Sequence, residues 1–129
     1  MSELRPSLHI CTTCRATQGA DTPVPGRQLF DAVSHALTDL GEAAPVILRP
    51  IVCLANCEQG CSASISMAGK WTYLLGHMGP GHAADLVAYA AAYAASENGT
   101  VWRSGRADSL RHAIVARTPG YNFTQKETA

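Results

Sequence analysis

No stretch of this sequence approaches the ~20 consecutive apolar residues that a membrane-spanning helix needs. The nearest candidate, Ala83 to Ala95, is too short and too rich in alanine. Met1 to Pro6 is polar and lacks the apolar core of a secretory signal, so a cytoplasmic protein with no membrane partner is expected. Neither sign of charge dominates. Lys and Arg total 10 and Asp and Glu total 10, which argues against steering toward nucleic acid by a basic surface. The chain also lacks the G-x₄-G-K-[ST] loop of phosphate binders, a Ser/His/Asp elbow and a paired-carboxylate signature. Internal repeats and low-complexity tracts are missing too. With no substrate-binding pattern in view, the expectation is a protein that is not an enzyme.

What is there is enough for one domain. The 129 residues are 47% hydrophobic and 16% charged, so a core can form without disulfide staples. The cysteines number five. An odd count in a reducing compartment points away from a disulfide framework and toward metal or redox chemistry.

Leu8-His9-Ile10 reads as a first strand ending at Cys11, and Gly19 to Gly26 as a loop. Leu29, Phe30, Val33, Leu37 and Leu40 recur at helical spacing from about Arg27, and Gly41 supplies the stop. Pro45 to Cys53 is apolar and β-branched and suits a strand buried on both faces, with Pro50 marking an edge or a bulge. Ser62 to Met67 and Trp71 to Leu75 form a hairpin about Ala68-Gly69-Lys70. A second helix runs from Pro80-Gly81 to about Ser96, burying Leu86, Val87, Ala90 and Tyr93 before Asn98-Gly99. Val101-Trp102-Arg103 suggests a short extra strand, and Asp108 or Ser109 a cap for a last helix that turns Leu110, Ile114 and Val115 inward. The order predicts an α/β thioredoxin-like sandwich, a mixed sheet of about four strands flanked by helices. Residues 1–129 are read as a single domain: a core over 7–95, a C-terminal extension over 100–121, and a frayed end over 122–129.

Every cysteine falls in one of two segments, Cys11-Thr-Thr-Cys14 and Cys53-Leu-Ala-Asn-Cys57-Glu-Gln-Gly-Cys61. Each follows an expected strand end, and loops leaving neighbouring strands at one edge of an α/β sheet can converge. Two thiolate pairs meeting there are what a four-coordinate soft-metal site requires. The zinc-ribbon template fits poorly, because 38 residues separate the pairs and the second is C-x₃-C. A 2Fe–2S cluster, with two thiolates on each iron, suits uneven pairs set far apart. Cys11, Cys14, Cys53 and Cys57 are therefore the candidate cluster ligands, and a loaded protein would carry a net charge of about −2. Other readings stay open. Structural zinc could use Cys₄ or Cys₃His. A thiol–disulfide oxidoreductase could use Cys11-Thr-Thr-Cys14, although a Gly/Pro loop stands where its helix should begin. The thiols could also be buried as small hydrophobes.

These residues resemble the thioredoxin-like 2Fe–2S ferredoxins, whose second ligand pair reads C-x₃-C-x₂-G-P and enters a hairpin with an aromatic turn. The matching positions are Cys53, Cys57 and Gly60, then Trp71 and Tyr73, over residues 7 to 95. Cys61 stands where that family has proline, and the first pair is tighter than the family's spacing. The whole chain is also similar to small predicted metal-binding proteins found beside cobalamin-biosynthesis and cobalt-chelation genes. That likeness is carried by ICTTCR, CLANCEQGCS, GKWTYLLG and ARTPGY. The resemblance implies a one-electron carrier serving a protein redox partner, either a reductase or a cobalamin-pathway enzyme, with a homodimer left open. A zinc- or cobalt-binding accessory protein or metallochaperone is the alternative.

Cys61 is expected to pack beneath the cluster loop, with ligation in place of another cysteine as its second role. His9 shares a strand face with Cys11, yet a hydrogen-bonded strand histidine is the simpler reading. His35 and His112 look like helix positions, and His77 and His82 like a loop and a helix-start residue. Lys70 and Arg15 are placed near the cluster edge, as potential-tuning or docking charges or as plain surface charges. Backbone N–H groups of Ala55-Asn56 and Glu58-Gln59-Gly60 are candidate donors to sulfur.

Overall fold

A computed structural model of the chain describes residues 5–13, 24–52, 54, 61–101 and 110–122. In chain order the elements are β1 (Ser7–Cys11), α1 (Pro25–Leu40), β2 (Ile47–Ile51), β3 (Cys61–Ser66), β4 (Trp71–Met78), α2 (Ala83–Ala95) and β5 (Ile114–Pro119). Short 3₁₀ turns at Gly41–Ala43 and Pro80–His82 follow α1 and lead into α2. The strands form one mixed sheet in the order β2-β1-β3-β4-β5, with β1 and β2 parallel and the other neighbours in that order antiparallel.

The core follows from strand alternation. Leu8 and Ile10 of β1 lie opposite Ile65 and Ala63 of β3, which lie opposite Tyr73 and Leu75 of β4, and all six are buried on one face. Helix α1 brings Leu29, Val33 and Leu37 to that face, and α2 brings Leu86, Tyr89, Ala90 and Tyr93. The two helices also pack on each other. Each fully buried Leu, Ile or Val contributes about 1.5–3 kcal/mol relative to exposure. The opposite face is mostly polar, with Ser7, His9, Ser64, Ser66 and Thr72 half-buried.

Helix α1 opens with Pro25 in its first turn and stops at Gly41, whose φ of +57° and N–H bonds to Leu37 and Thr38 carbonyls end the turn. Its apolar stripe is narrower than the periodicity suggests, since Phe30 is half-buried and Leu40 is exposed. In α2, Tyr89 is buried while Val87 is half-buried. Among the described residues no helix is long and apolar enough to cross a membrane.

Strand β2 is an edge strand, not one buried on both faces: Arg49 and Pro50 are exposed. The Ile47 N–H bonds to the Pro6 carbonyl and the Thr12 N–H to the Ile51 carbonyl, so residues 47, 49 and 51 face β1. Pro50 therefore points its missing N–H away from the sheet, and proline is tolerated for that reason.

The C-terminal region differs from expectation. Residues 114–119 form the strand β5, paired with β4 from Leu75↔Ile114 to Trp71↔Pro119, and not the end of a helix. Among the described residues the sheet thus has five strands. Of the suggested strand at 101–103, Val101 is buried outside any strand, and 102–103 lie outside the described residues. Arg117 stacks its guanidinium 3.9 Å from the centre of the Trp71 ring. Gly120 then donates to the Lys70 carbonyl at 3.0 Å, and a Cβ there would collide with that same oxygen.

Candidate metal centre

The carboxyl ends of β1 and β2 meet at one end of the sheet. Alternation sends Leu8 and Ile10 into the core and leaves His9 and Cys11 on the other face, with Cys11 opposite Ile51 in the parallel register. Cys11 is nonetheless only 2% exposed. Its Sγ lies 3.3 Å from the carbonyl oxygen of Val52, the residue before Cys53 in the sequence. The next two residues tighten the junction. The Thr12 N–H donates to the Ile51 carbonyl at 2.9 Å, its hydroxyl lies 3.4 Å from that oxygen, and the Thr13 hydroxyl donates to the Val52 carbonyl. Thr13 Oγ1 also lies 3.6 Å from Cys11 Sγ. A buried soft donor therefore stands where the leads into both cysteine segments are tied together.

Cys61 opens β3 at the same end, fully buried and opposite Met78. A register shift between Cys61 and Ala63 disturbs the pairing with β4 there. Neither Cys11 nor Cys61 forms a disulfide. Cys14, Cys53 and Cys57 lie outside the described residues, as do Arg15, Ala55-Asn56 and Glu58-Gln59-Gly60. Among the described residues no group of three or more His, Cys, Asp or Glu side chains gathers around a common point.

The histidines have local roles. His9 is half-buried, and burial followed by the nearby Arg49 guanidinium lowers its pKa below the ordinary value. His82 Nδ1 accepts the Gly79 N–H at 2.9 Å, which fits its expected place at a helix start. His77 is exposed at a φ of +58°. His35 sits 3.9 Å from Asp39 on the exposed face of α1, and His112 is exposed outside any helix.

Lys70 is misplaced by both sequence readings. It sits in the β3–β4 turn, at the far end of the sheet from Cys61, about 17 Å away by strand rise. It is 9% exposed, and its Nζ donates to the carbonyls of Tyr93 (3.1 Å) and Ala94 (3.0 Å) at the end of α2. It also lies 5.2 Å from the centre of the Tyr93 ring. Burial lowers its pKa, while the Tyr93 hydroxyl donates to the Trp71 carbonyl at 2.6 Å. Thr12, Thr13 and Val52 were missed by sequence reasoning. Their one signal is adjacency to cysteine, because the partners lie 39 residues away along the chain.

The family model described as "Protein of unknown function (DUF1636)" matches residues 8–120. The chain belongs to that family. The match takes in both cysteine segments of this DUF1636 protein and runs through β5 to Gly120. Its structure is similar to that of a thioredoxin-like [2Fe-2S] ferredoxin from Aquifex aeolicus, with a TM-score of 0.57 at 11% sequence identity, covering 93% of this chain and 98% of that one. At that identity the likeness establishes a shared thioredoxin-like fold for the DUF1636 chain. No curated protein matches the sequence.

Proposed function

We propose that this protein is a ferredoxin-like one-electron carrier holding a 2Fe–2S cluster through Cys11, Cys14, Cys53 and Cys57. The observation that carries the reading is the 3.3 Å approach of Cys11 Sγ to the carbonyl of Val52, immediately before Cys53 in the sequence. Cys11 and Val52, which lead into segments 38 residues apart, meet at one end of the sheet, and this supports two thiolate pairs serving a single centre. The donor set fits as well, because the burial of Cys11 suits a soft, dehydrated ligand. The fold shared with a thioredoxin-like ferredoxin adds independent support.

When bound, such a cluster takes up and returns one electron, all-cysteine centres often lying near about −400 mV. The chain's own residues then have defined tasks. Cys11 supplies sulfur from the end of β1, and the hydrogen bonds of Thr12 and Thr13 hold that end against β2. Cys61, sunk in the core at the start of β3, supports the site by packing, with ligation as its reserve role. Val52 is 70% exposed beside the site and offers an apolar contact to a protein redox partner. A reductase or a cobalamin-pathway enzyme is the partner the family resemblance suggests, with residues 1–129 acting as one cytoplasmic, non-enzymatic unit.

The test is iron, acid-labile sulfide and zinc analysis of anaerobically purified wild type beside Cys53→Ser. A brown-red wild type with about two irons and two sulfides per chain, and a variant that loses them, supports the carrier. Colourless protein with about one zinc refutes it in favour of a zinc-binding accessory protein.

A further inference from the structure

The end of β1 carries more hydrogen-bonding groups than strand pairing uses. Three atoms form a close triangle there: Cys11 Sγ, 3.3 Å from Val52 O; Thr13 Oγ1, donating to Val52 O; and the Sγ–Oγ1 pair itself, 3.6 Å apart. One carbonyl oxygen thus receives a thiol and a hydroxyl together. This arrangement suits a protonated sulfur alone. A metal-bound sulfur has no proton to donate, which leaves it facing the carbonyl oxygen as one electron-rich atom against another. The Thr13 hydroxyl is the side-chain donor that touches both. Thr12 is different, because its hydroxyl is directed to the Ile51 carbonyl.

We infer that Thr13 is a positioning residue for Cys11, its hydroxyl donating to Val52 O beside the free thiol and to Cys11 Sγ once that sulfur binds metal. Turning the O–H about its C–O bond takes the proton out of the Oγ1–Val52 O contact, so that contact opens as the hydroxyl turns. Val52 is 70% exposed, so it is free to give way there. Turned to sulfur, the hydroxyl draws negative charge from the ligand. The spacer of C-x₂-C becomes part of the site through this contact. The inference rests on the reading of Cys11 as a cluster ligand.

The experiment compares full-length wild type, Thr13→Val and Thr13→Ser, each loaded anaerobically with iron and sulfide. Iron and sulfide content, midpoint potential by redox titration and the rate of iron loss to a chelator are measured on all three. Thr13→Val, which keeps the shape and removes the donor, should have a more negative midpoint potential, because hydrogen bonds to sulfur favour the more negative reduced state. It should also show iron binding weakened about 10- to 100-fold, the usual cost of losing a group that supports a metal ligand, read as faster loss. Thr13→Ser should restore both. Failure of Thr13→Val to load, with rescue by Thr13→Ser, supports the same role. A Thr13→Val protein matching wild type in potential and loss rate overturns the inference and leaves the cluster ligands standing, as does equal impairment of both variants. A wild type that takes up no iron and sulfide overturns the cluster reading and this inference together.

Discussion

Replacing Lys70 by methionine removes a cap from α2 while keeping most of the side-chain volume. The ammonium group makes two hydrogen bonds, at 3.1 and 3.0 Å, to carbonyls of the last helical turn, of which that of Tyr93 also accepts the Ser96 N–H. Hydrogen bonds to a charged group are worth about 1.5–3 kcal/mol each, and a partly buried cation at a helix C-terminus up to about 2 kcal/mol. These describe one interaction in two ways and do not add. The dehydration that lowers the lysine pKa offsets part of the gain. A net loss of about 2–4 kcal/mol is expected, or roughly 10 °C in Tm for a chain of this length. Urea unfolding followed by tryptophan fluorescence measures it, since Trp71 adjoins the substituted position. Iron and sulfide loading near room temperature should stay at the wild-type level, because the lysine sits at the end of the sheet away from Cys11. Stability within about 0.5 kcal/mol of wild type would refute the capping role. Loss of loading in a folded variant would refute the separation of the two ends.

Two further outcomes follow from burial. Cys61→Ala should keep its iron and sulfide while losing about 1 kcal/mol of stability, because the side chain is fully buried in the core; a folded variant without cluster would make Cys61 a ligand. The lowered His9 pKa means that below the ordinary value of 6.5 the unfolded chain binds more protons than the folded one. Stability should therefore fall as pH drops through that region, and His9→Gln should lose less than wild type in urea unfolding compared near pH 7.5 and near pH 5.5. Equal losses in the two proteins would contradict the shift.

Most of the first 95 residues were legible because their signals are local. Leu29, Val33 and Leu37 repeat at helical spacing, and two short apolar runs flank Gly69, whose φ of +83° suits the turn. The segment after residue 110 defeated the same reading. Leu110 and Ile114 stand four apart as in a helix, but Ile114, Val115 and Thr118 are β-branched and favour a strand. As an edge strand β5 buries almost nothing, so it shows no alternation, and pairing with β4 decides its form. Lys70 was opaque for a related reason, since its acceptors lie 23 and 24 residues further on. At the candidate site the residue types and spacing were readable. The contact between Cys11 and Val52 was not, because it depends on the parallel register of two strands joined through a helix.

Pro50 has a consequence for life at high concentration. The outward-facing residues of β2 are Leu48 and Pro50, and only Leu48 has an N–H to offer along that rim. A strand from a neighbouring molecule that settled there would find a ladder with a missing rung, flanked by the exposed charge of Arg49. The β2 rim thus resists accidental sheet growth, so crowding should not readily drive molecules together along that edge.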